Sequence, residues 1–230
     1  MAVRDVVLVH GAFADGSSWA KVIPLLLDKG YRVTSVAIPL TSFAEDVAAT
    51  KRATGLQEGP VLLVGHSYGG VVITEAGNDP KVAALVYVAA FAPDAKQSIG
   101  EISQSFPKPP GLDALRPLPD GYLLLAEKGI REDFAQDLTQ EEKALLVAVQ
   151  PQTAGAIFEA KPEKAAWRNK PSWYVVASND RMIAPEQEQA MAANIRATVK
   201  KLPSSHAVML SHPKEVADVI AEAAQADSAA

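Results

Sequence analysis

Val61-Leu62-Leu63-Val64 is a wholly apolar run, and Val71-Val72-Ile73 begins another almost at once. Only Gly65-His66-Ser67-Tyr68-Gly69-Gly70 lies between them. A strand that turns straight into a helix has no room for side chains on both flanks of the bend, and Gly65 and Gly69 carry none. Gly-x-Ser-x-Gly in this setting leaves one serine clear of a sheet, with a helix N-terminus behind it. The stretch therefore asks for a sheet with helices packed on it. It also asks the rest of the chain for a base, an acid and an oxyanion hole.

The remaining sequence answers the first demand. Val6–Val9, Arg32–Ala37, Val61–Val64, Val82–Val88, Trp173–Ala177 and Thr198–Leu202 read as short strands, several of them apolar without alternation. Such runs suit parallel strands covered on both faces. Helical patterns follow nearly every one. Trp19, Val22, Ile23, Leu26 and Leu27 recur at helical spacing, with the regular helix predicted from near Ile23 because of Pro24. Ser42-Phe43-Ala44-Glu45 and Thr139-Gln140-Glu141-Glu142 read as capping boxes. Pro185 and Pro213 suit first helical positions, and Glu186 and Glu188 suit the positive end of the helix after Pro185. This βα alternation predicts an α/β fold, a doubly wound, mostly parallel six-stranded sheet. Between Phe91 and Trp167 the texture changes. Six of the sixteen prolines fall between Pro93 and Pro119, and Phe106–Gly111 cannot be regular structure. Residues 91–167 are expected to be an inserted, helical lid, with one more short helix over Thr153–Phe158. Residues 1–90 and 168–230 form the expected core.

The composition narrows the partners. The 230 residues are 48% hydrophobic, enough for a single large core with a lid. A net charge of −5 without a basic run argues against nucleic acid. There is no cysteine, so neither a disulfide nor a cysteine metal site is available. Met1–Asp5 leads directly into an apolar run with no charged-then-apolar leader, and no apolar run is long enough to span a membrane. A cytoplasmic protein without membrane attachment is expected. Oligomeric state is not legible, and a homodimer is left open.

The second demand is met at strand ends, where sites form in such sheets. A serine hydroxyl needs a base to become a nucleophile, and a histidine held by a carboxylate is the usual one. Ser67 follows the third strand, Asp180 the fifth and His206 the sixth. The order Ser…Asp…His is the one that strand–elbow–helix hydrolases use. The oxyanion donors would be the N–H of Tyr68 and one from the small-residue loop after His10-Gly11, that of Ala12 or else Phe13. Asp94 is a rival acid after the fourth strand, although its place behind Pro93 fits a turn. Asp180 could instead cap the helix at Pro185. His10 reads as a brace for the oxyanion loop, His66 as packing in the elbow, and His212 as an exposed residue at a helix start. Phe13, Trp19 and Phe91 are candidates to line a substrate pocket, with Phe106 and Phe134 behind them. Core packing is the commoner fate of any one aromatic.

Val9-His10-Gly11-Ala12-Phe13, Gly65-His66-Ser67-Tyr68-Gly69-Gly70, Tyr87–Asp94 and His206–Pro213 together resemble the α/β-hydrolase superfamily. The resemblance is to its small branch of plant methylesterases, salicylate-binding esterase, hydroxynitrile lyases and uncharacterised bacterial esterases, and it covers residues 4–222. It implies Ser67, Asp180 and His206 as a catalytic triad and Ala12 and Tyr68 as oxyanion donors, with no metal or cofactor. The lyases of that branch carry a lysine directly after the catalytic histidine. Ala207 stands there in this chain, which argues against cyanohydrin chemistry.

The expected activity is hydrolysis of a small-molecule carboxylic ester through an acyl-enzyme on Ser67. Two alternatives use the same residues. In one, His206 is the general base of a lyase or a cofactor-independent oxidation. In the other, the fold binds a small ligand without turnover.

Overall fold

The computed structural model describes residues 3–226; the outer ends of the expected core, residues 1–2 and 227–230, lie outside the described residues. In the first part of the chain, β1 (Asp5–Val9), α1 (Val22–Asp28), β2 (Arg32–Val36), α2 (Phe43–Gly55), β3 (Val61–His66), α3 (Gly69–Ala76) and β4 (Val82–Val88) alternate without a break. The continuous apolar runs become β1, β3 and β4, buried along almost their whole length. After residue 91 the chain leaves this pattern. It forms α4 (Ile99–Ser103), β5 (Leu115–Pro117), β6 (Tyr122–Leu125), a single turn α5 (Glu127–Gly129), α6 (Gln140–Val149) and β7 (Thr153–Ala154). It then returns as β8 (Ser172–Ala177), α7 (Pro185–Asn194), β9 (Thr198–Leu202), α8 (Val208–Ser211) and α9 (Pro213–Gln225).

The main sheet has six strands in the order β2-β1-β3-β4-β8-β9, and every pairing in it is parallel. The chain starts one strand in from an edge, steps outward to β2, and crosses back past β1 through β3 and β4 toward the other edge. This doubly wound arrangement points the carboxyl ends of all six strands the same way. Val7, Leu8, Leu62, Leu63, Leu85 and Val175 fill the interior with no exposed surface. At the chain's end α9 presents Val216, Val219, Ile220 and Ala223 inward, as their helical spacing predicts.

Three local expectations change. The segment between β4 and β8 is not only helical, because β5, β6 and β7 form a three-stranded antiparallel sheet. Thr153 and Ala154 belong to that sheet, so the short helix expected from Thr153 is a 3-10 turn over Gly155–Glu159. The box at Ser42 is half formed. Its hydroxyl accepts the Glu45 N–H at 3.3 Å, but the Glu45 carboxylate turns to the Thr41 hydroxyl. At Thr139 both halves are present, and a third box at Ser98 and Glu101 opens α4. Among the described residues no helix is long and apolar enough to cross a membrane.

Candidate active site

Ser67 has φ of 53°, a left-handed conformation that a residue with a side chain keeps only when its surroundings fix it. They do so here. The Ser67 N–H donates to the Val88 carbonyl at 3.3 Å, and its own carbonyl accepts the N–H groups of Gly70 at 3.0 Å and Phe91 at 3.1 Å. The turn is tight enough to exclude side chains on both flanks. A Cβ on Gly65 would lie 2.5 Å from the Gly69 carbonyl oxygen, and one on Gly69 would lie 2.6 Å from that of Val9.

Tyr68 follows and precedes the first residue of α3. Its ring is buried, and its hydroxyl donates to Asp46 Oδ2 at 2.8 Å. Asp46 Oδ1 accepts the Leu40 N–H at 2.8 Å. Burial holds the Asp46 carboxyl above the usual carboxylate range. Burial, with the Asp46 charge behind it, also pushes the Tyr68 phenol above its ordinary value.

On the far side of the sheet's midline, His206 Nδ1 donates to Asp180 Oδ2 at 2.5 Å, and both side chains are buried. Asp180 Oδ1 accepts the N–H groups of Met182 at 2.6 Å and Ile183 at 2.9 Å. The aspartate thus caps the loop before α7 and also holds the histidine. The loop bearing His206 is fastened from two directions. From the core, His66 Nε2 donates to the His206 carbonyl at 3.0 Å, and the two rings lie 4.6 Å apart. Burial first, and then His206, pushes His66 well below the usual imidazole range, so it is neutral. From the inserted segment, the Phe134 ring meets His206 edge-on at 4.9 Å. The Phe134 carbonyl accepts the Ala207 N–H at 3.1 Å, and Asp137 Oδ2 accepts the Ser205 N–H at 2.8 Å.

The loop after β1 completes the arrangement. His10 Nδ1 donates to the Gly11 carbonyl at 3.0 Å, and its Nε2 accepts the Ile38 N–H at 3.2 Å. Burial keeps this imidazole below its ordinary pKa and neutral, which fits the expected brace. The Phe13 N–H donates to Thr153 Oγ1 at 3.2 Å. Of the two candidate donors in that loop, Phe13 is therefore spent and Ala12 is not.

Ala12, Ser67 and His206 open into one cavity of about 380 Å³. Its walls are apolar, with Phe13, Phe91, Leu123, Phe134, Phe158 and Ile183 among them. Among the described residues no lysine or arginine lines it, and Glu159 does. Trp19 is not part of this wall, contrary to expectation. It ends the 3-10 turn Gly16–Trp19, which Asp15 caps, and that turn drives the indole wholly inside the core. There its ring lies 6.4 Å from that of His66, at 90°. Phe106 borders a separate surface depression with Asp94 and Ile102. Asp94 itself pairs with Arg168, whose hydrogen bond holds the carboxyl below the usual carboxylate range. His212 is half-buried beside Ser211 at the start of α9. Among the described residues no group of three or more His, Cys, Asp or Glu has the arrangement of a metal site.

A model of the alpha/beta hydrolase family matches residues 6–219. The chain belongs to that family. Pyrethroid hydrolase from Sphingobium wenxiniae is 28% identical over 98% of this chain and 89% of the relative. Methylesterase 2 of Arabidopsis thaliana is 25% identical over 94% of each chain. A crystal structure of a pyrethroid hydrolase from Sphingobium faniae superposes with a TM-score of 0.83 at 24% identity, covering 98% of this chain and 99% of that one. At that identity the superposition speaks for the fold.

Within this alpha/beta hydrolase, sequence reasoning passed over Asp46, Thr153 and Glu188. Glu188 looked like an acid favoured in a helix's first turn, and Asp46 was not singled out. Spacing held a signal for Glu188, which shares a helix face with Ala184, Met191 and Ala192, all buried. Thr153 carried no local signal, because its partner Phe13 lies far away in sequence.

Proposed function

We propose that this chain is a carboxylesterase-type serine hydrolase acting on small, apolar carboxylic esters through an acyl-enzyme on Ser67. The observation that carries the reading is the 2.5 Å contact of Asp180 with Nδ1 of His206, a residue that lines the same cavity as Ser67. With Nδ1–H committed to the carboxylate, Nε2 is the nitrogen left to take a proton. Ser67 Oγ attacks the ester carbonyl as His206 Nε2 receives its proton, and the new C–O bond leaves a negative charge on the former carbonyl oxygen. The N–H groups of Ala12 and Tyr68 hold that charge in this reading. Collapse expels the alkoxide, which takes the proton from His206. Water then gives a proton to the same nitrogen and attacks the acyl carbon, and as this second intermediate collapses His206 returns that proton to Ser67 Oγ and the carboxylic acid leaves. Relatives named methylesterase and hydrolase support hydrolysis of an ester.

The deciding experiment pairs turnover with labelling. Ser67→Ala should lose on the order of 10³-fold or more in kcat on short p-nitrophenyl esters. A fluorophosphonate should label wild type at Ser67. Near wild-type turnover in the variant would sink the proposal. Intact base chemistry without labelling would move the function to the lyase or oxidation alternative.

A further inference from the structure

The chemistry above leaves one fully buried carboxyl unused. Glu188, in the first turns of α7, exposes no surface. Its Oε2 accepts the N–H of Ala177, the last residue of β8, at 3.0 Å. Its Oε1 is buried and meets no donor. The group that faces it at hydrogen-bonding range is the carboxyl of Asp180.

Two carboxylates cannot share a dry site with both ionised, so one of this pair carries a proton. The partners decide which. Asp180 already accepts from His206 Nδ1–H and from two backbone N–H groups. All three are donors, and a protonated Asp180 would waste them. Glu188 accepts a single N–H and has one oxygen free. The other titratable groups nearby do not alter the balance. Tyr174 of β8 keeps its hydroxyl on the Ala90 carbonyl. Tyr87 of β4 stacks behind Tyr174 at 6.0 Å, and His206 lies beyond Asp180. Among the described residues, no cation acts on Glu188.

We propose that Glu188 is a positioning residue that carries its proton on Oε1 and donates it to Asp180, so that the acid of the triad is itself held by a second carboxyl from behind. In keeping with this, burial and then the Asp180 charge hold the Glu188 carboxyl well above the usual carboxylate range. The inference rests on the triad reading above for its catalytic consequence but not for the protonation itself.

The consequence has a sign. The donor takes up part of the Asp180 charge. Without it, Asp180 grips the protonated imidazole more strongly, and His206 becomes a free base only at higher pH. An ionised Glu188 would act in the opposite sense, since its removal would release the imidazole's proton at lower pH.

Glu188→Gln and Glu188→Leu separate the cases, because glutamine can accept from Ala177 and donate to Asp180 in the same geometry. In an infrared difference spectrum at neutral pH, wild type minus E188Q should show the C=O stretch of a protonated carboxyl. Absence of that band overturns the inference. In kcat/KM against pH, E188L should move its acid limb upward and lose on the order of tenfold in kcat with KM little changed. E188Q should rescue both. A downward shift of the limb in both variants, or an E188L profile matching wild type, also overturns it. Should E188L fail to fold, the infrared band and the E188Q limb still decide. If instead Ser67→Ala keeps its turnover while the band is present, the triad reading falls alone and Glu188 remains a buried protonated acid.

Discussion

The Tyr68 hydroxyl and the Asp46 carboxyl meet at 2.8 Å beneath the elbow, while the proposed catalytic atom of Tyr68 is its backbone N–H. The two roles separate in Tyr68→Phe. Losing the hydroxyl leaves Asp46 Oδ2 short of a donor in a buried site, which costs about 1–3 kcal/mol. Chemical denaturation should show that loss, and kcat should stay within about threefold of wild type. A collapse of kcat with unchanged stability would mean that the hydroxyl itself does chemistry. Glu188 gives a second test, in stability against pH. A carboxyl whose folded pKa is raised stabilises the native state fully below its unfolded value, about 4.3. That contribution is lost as pH rises toward the folded value. E188Q cannot ionise. Its melting temperature should match wild type near pH 4 and exceed it increasingly toward pH 8, and a gap that narrows with rising pH would contradict a protonated Glu188. Ser67, Asp180 and His206 stood out in the sequence because each follows a strand end. Asp46 and Glu188 did not, because an acid in a helix's first turn has an ordinary electrostatic reason to be there.

Among the elements, the carboxylate that meets His206 follows β8 and not β4. Both strands end near the elbow, but Asp94 turns outward to Arg168, whereas Asp180 turns inward to His206. Asp94→Asn should therefore keep wild-type kcat/KM and change stability by no more than about 1 kcal/mol, as for an exposed pair. A loss of activity matching that of Asp180→Asn would restore the rival acid. The inserted segment also has work beyond the cavity wall, since Phe134 and Asp137 hold the loop of His206. Asp137→Ala frees the Ser205 N–H, and steady-state kinetics should show kcat falling several-fold with KM nearly constant. The α/β alternation was legible because β1, β3, β4 and β8 are continuous apolar runs. The small sheet was not. Leu115–Pro117 and Tyr122–Leu125 are too short for alternation to register, and prolines crowd the segment.

For the whole molecule, the proposed function makes the cavity of about 380 Å³ the space that a substrate must fit. On that proposal its apolar walls should favour longer acyl or alkoxy groups. Each methylene that is buried is worth about 0.8 kcal/mol, or roughly fourfold in kcat/KM, until the space is full. An ester bearing a free carboxylate meets no lysine or arginine there and approaches past Glu159 on a chain of net charge −5. A panel of p-nitrophenyl esters should show kcat/KM rising with chain length to a maximum and falling for carboxylated analogues. A preference for the anionic esters would contradict the proposed substrate class. The sequence points to an esterase of this family and not to a substrate preference, because Leu123, Phe134 and Phe158 come from an irregular segment whose side-chain directions follow no period.

The parallel pairing of β8 with β4 spans the entire inserted segment. During synthesis, Ser67 is therefore made long before Asp180 and His206. On the triad reading, a half-made chain carries the serine without its base or its acid, so the serine is not activated to acylate itself. On that reading, chemical readiness waits for the main sheet's sixth strand, β9, and the loop that follows it.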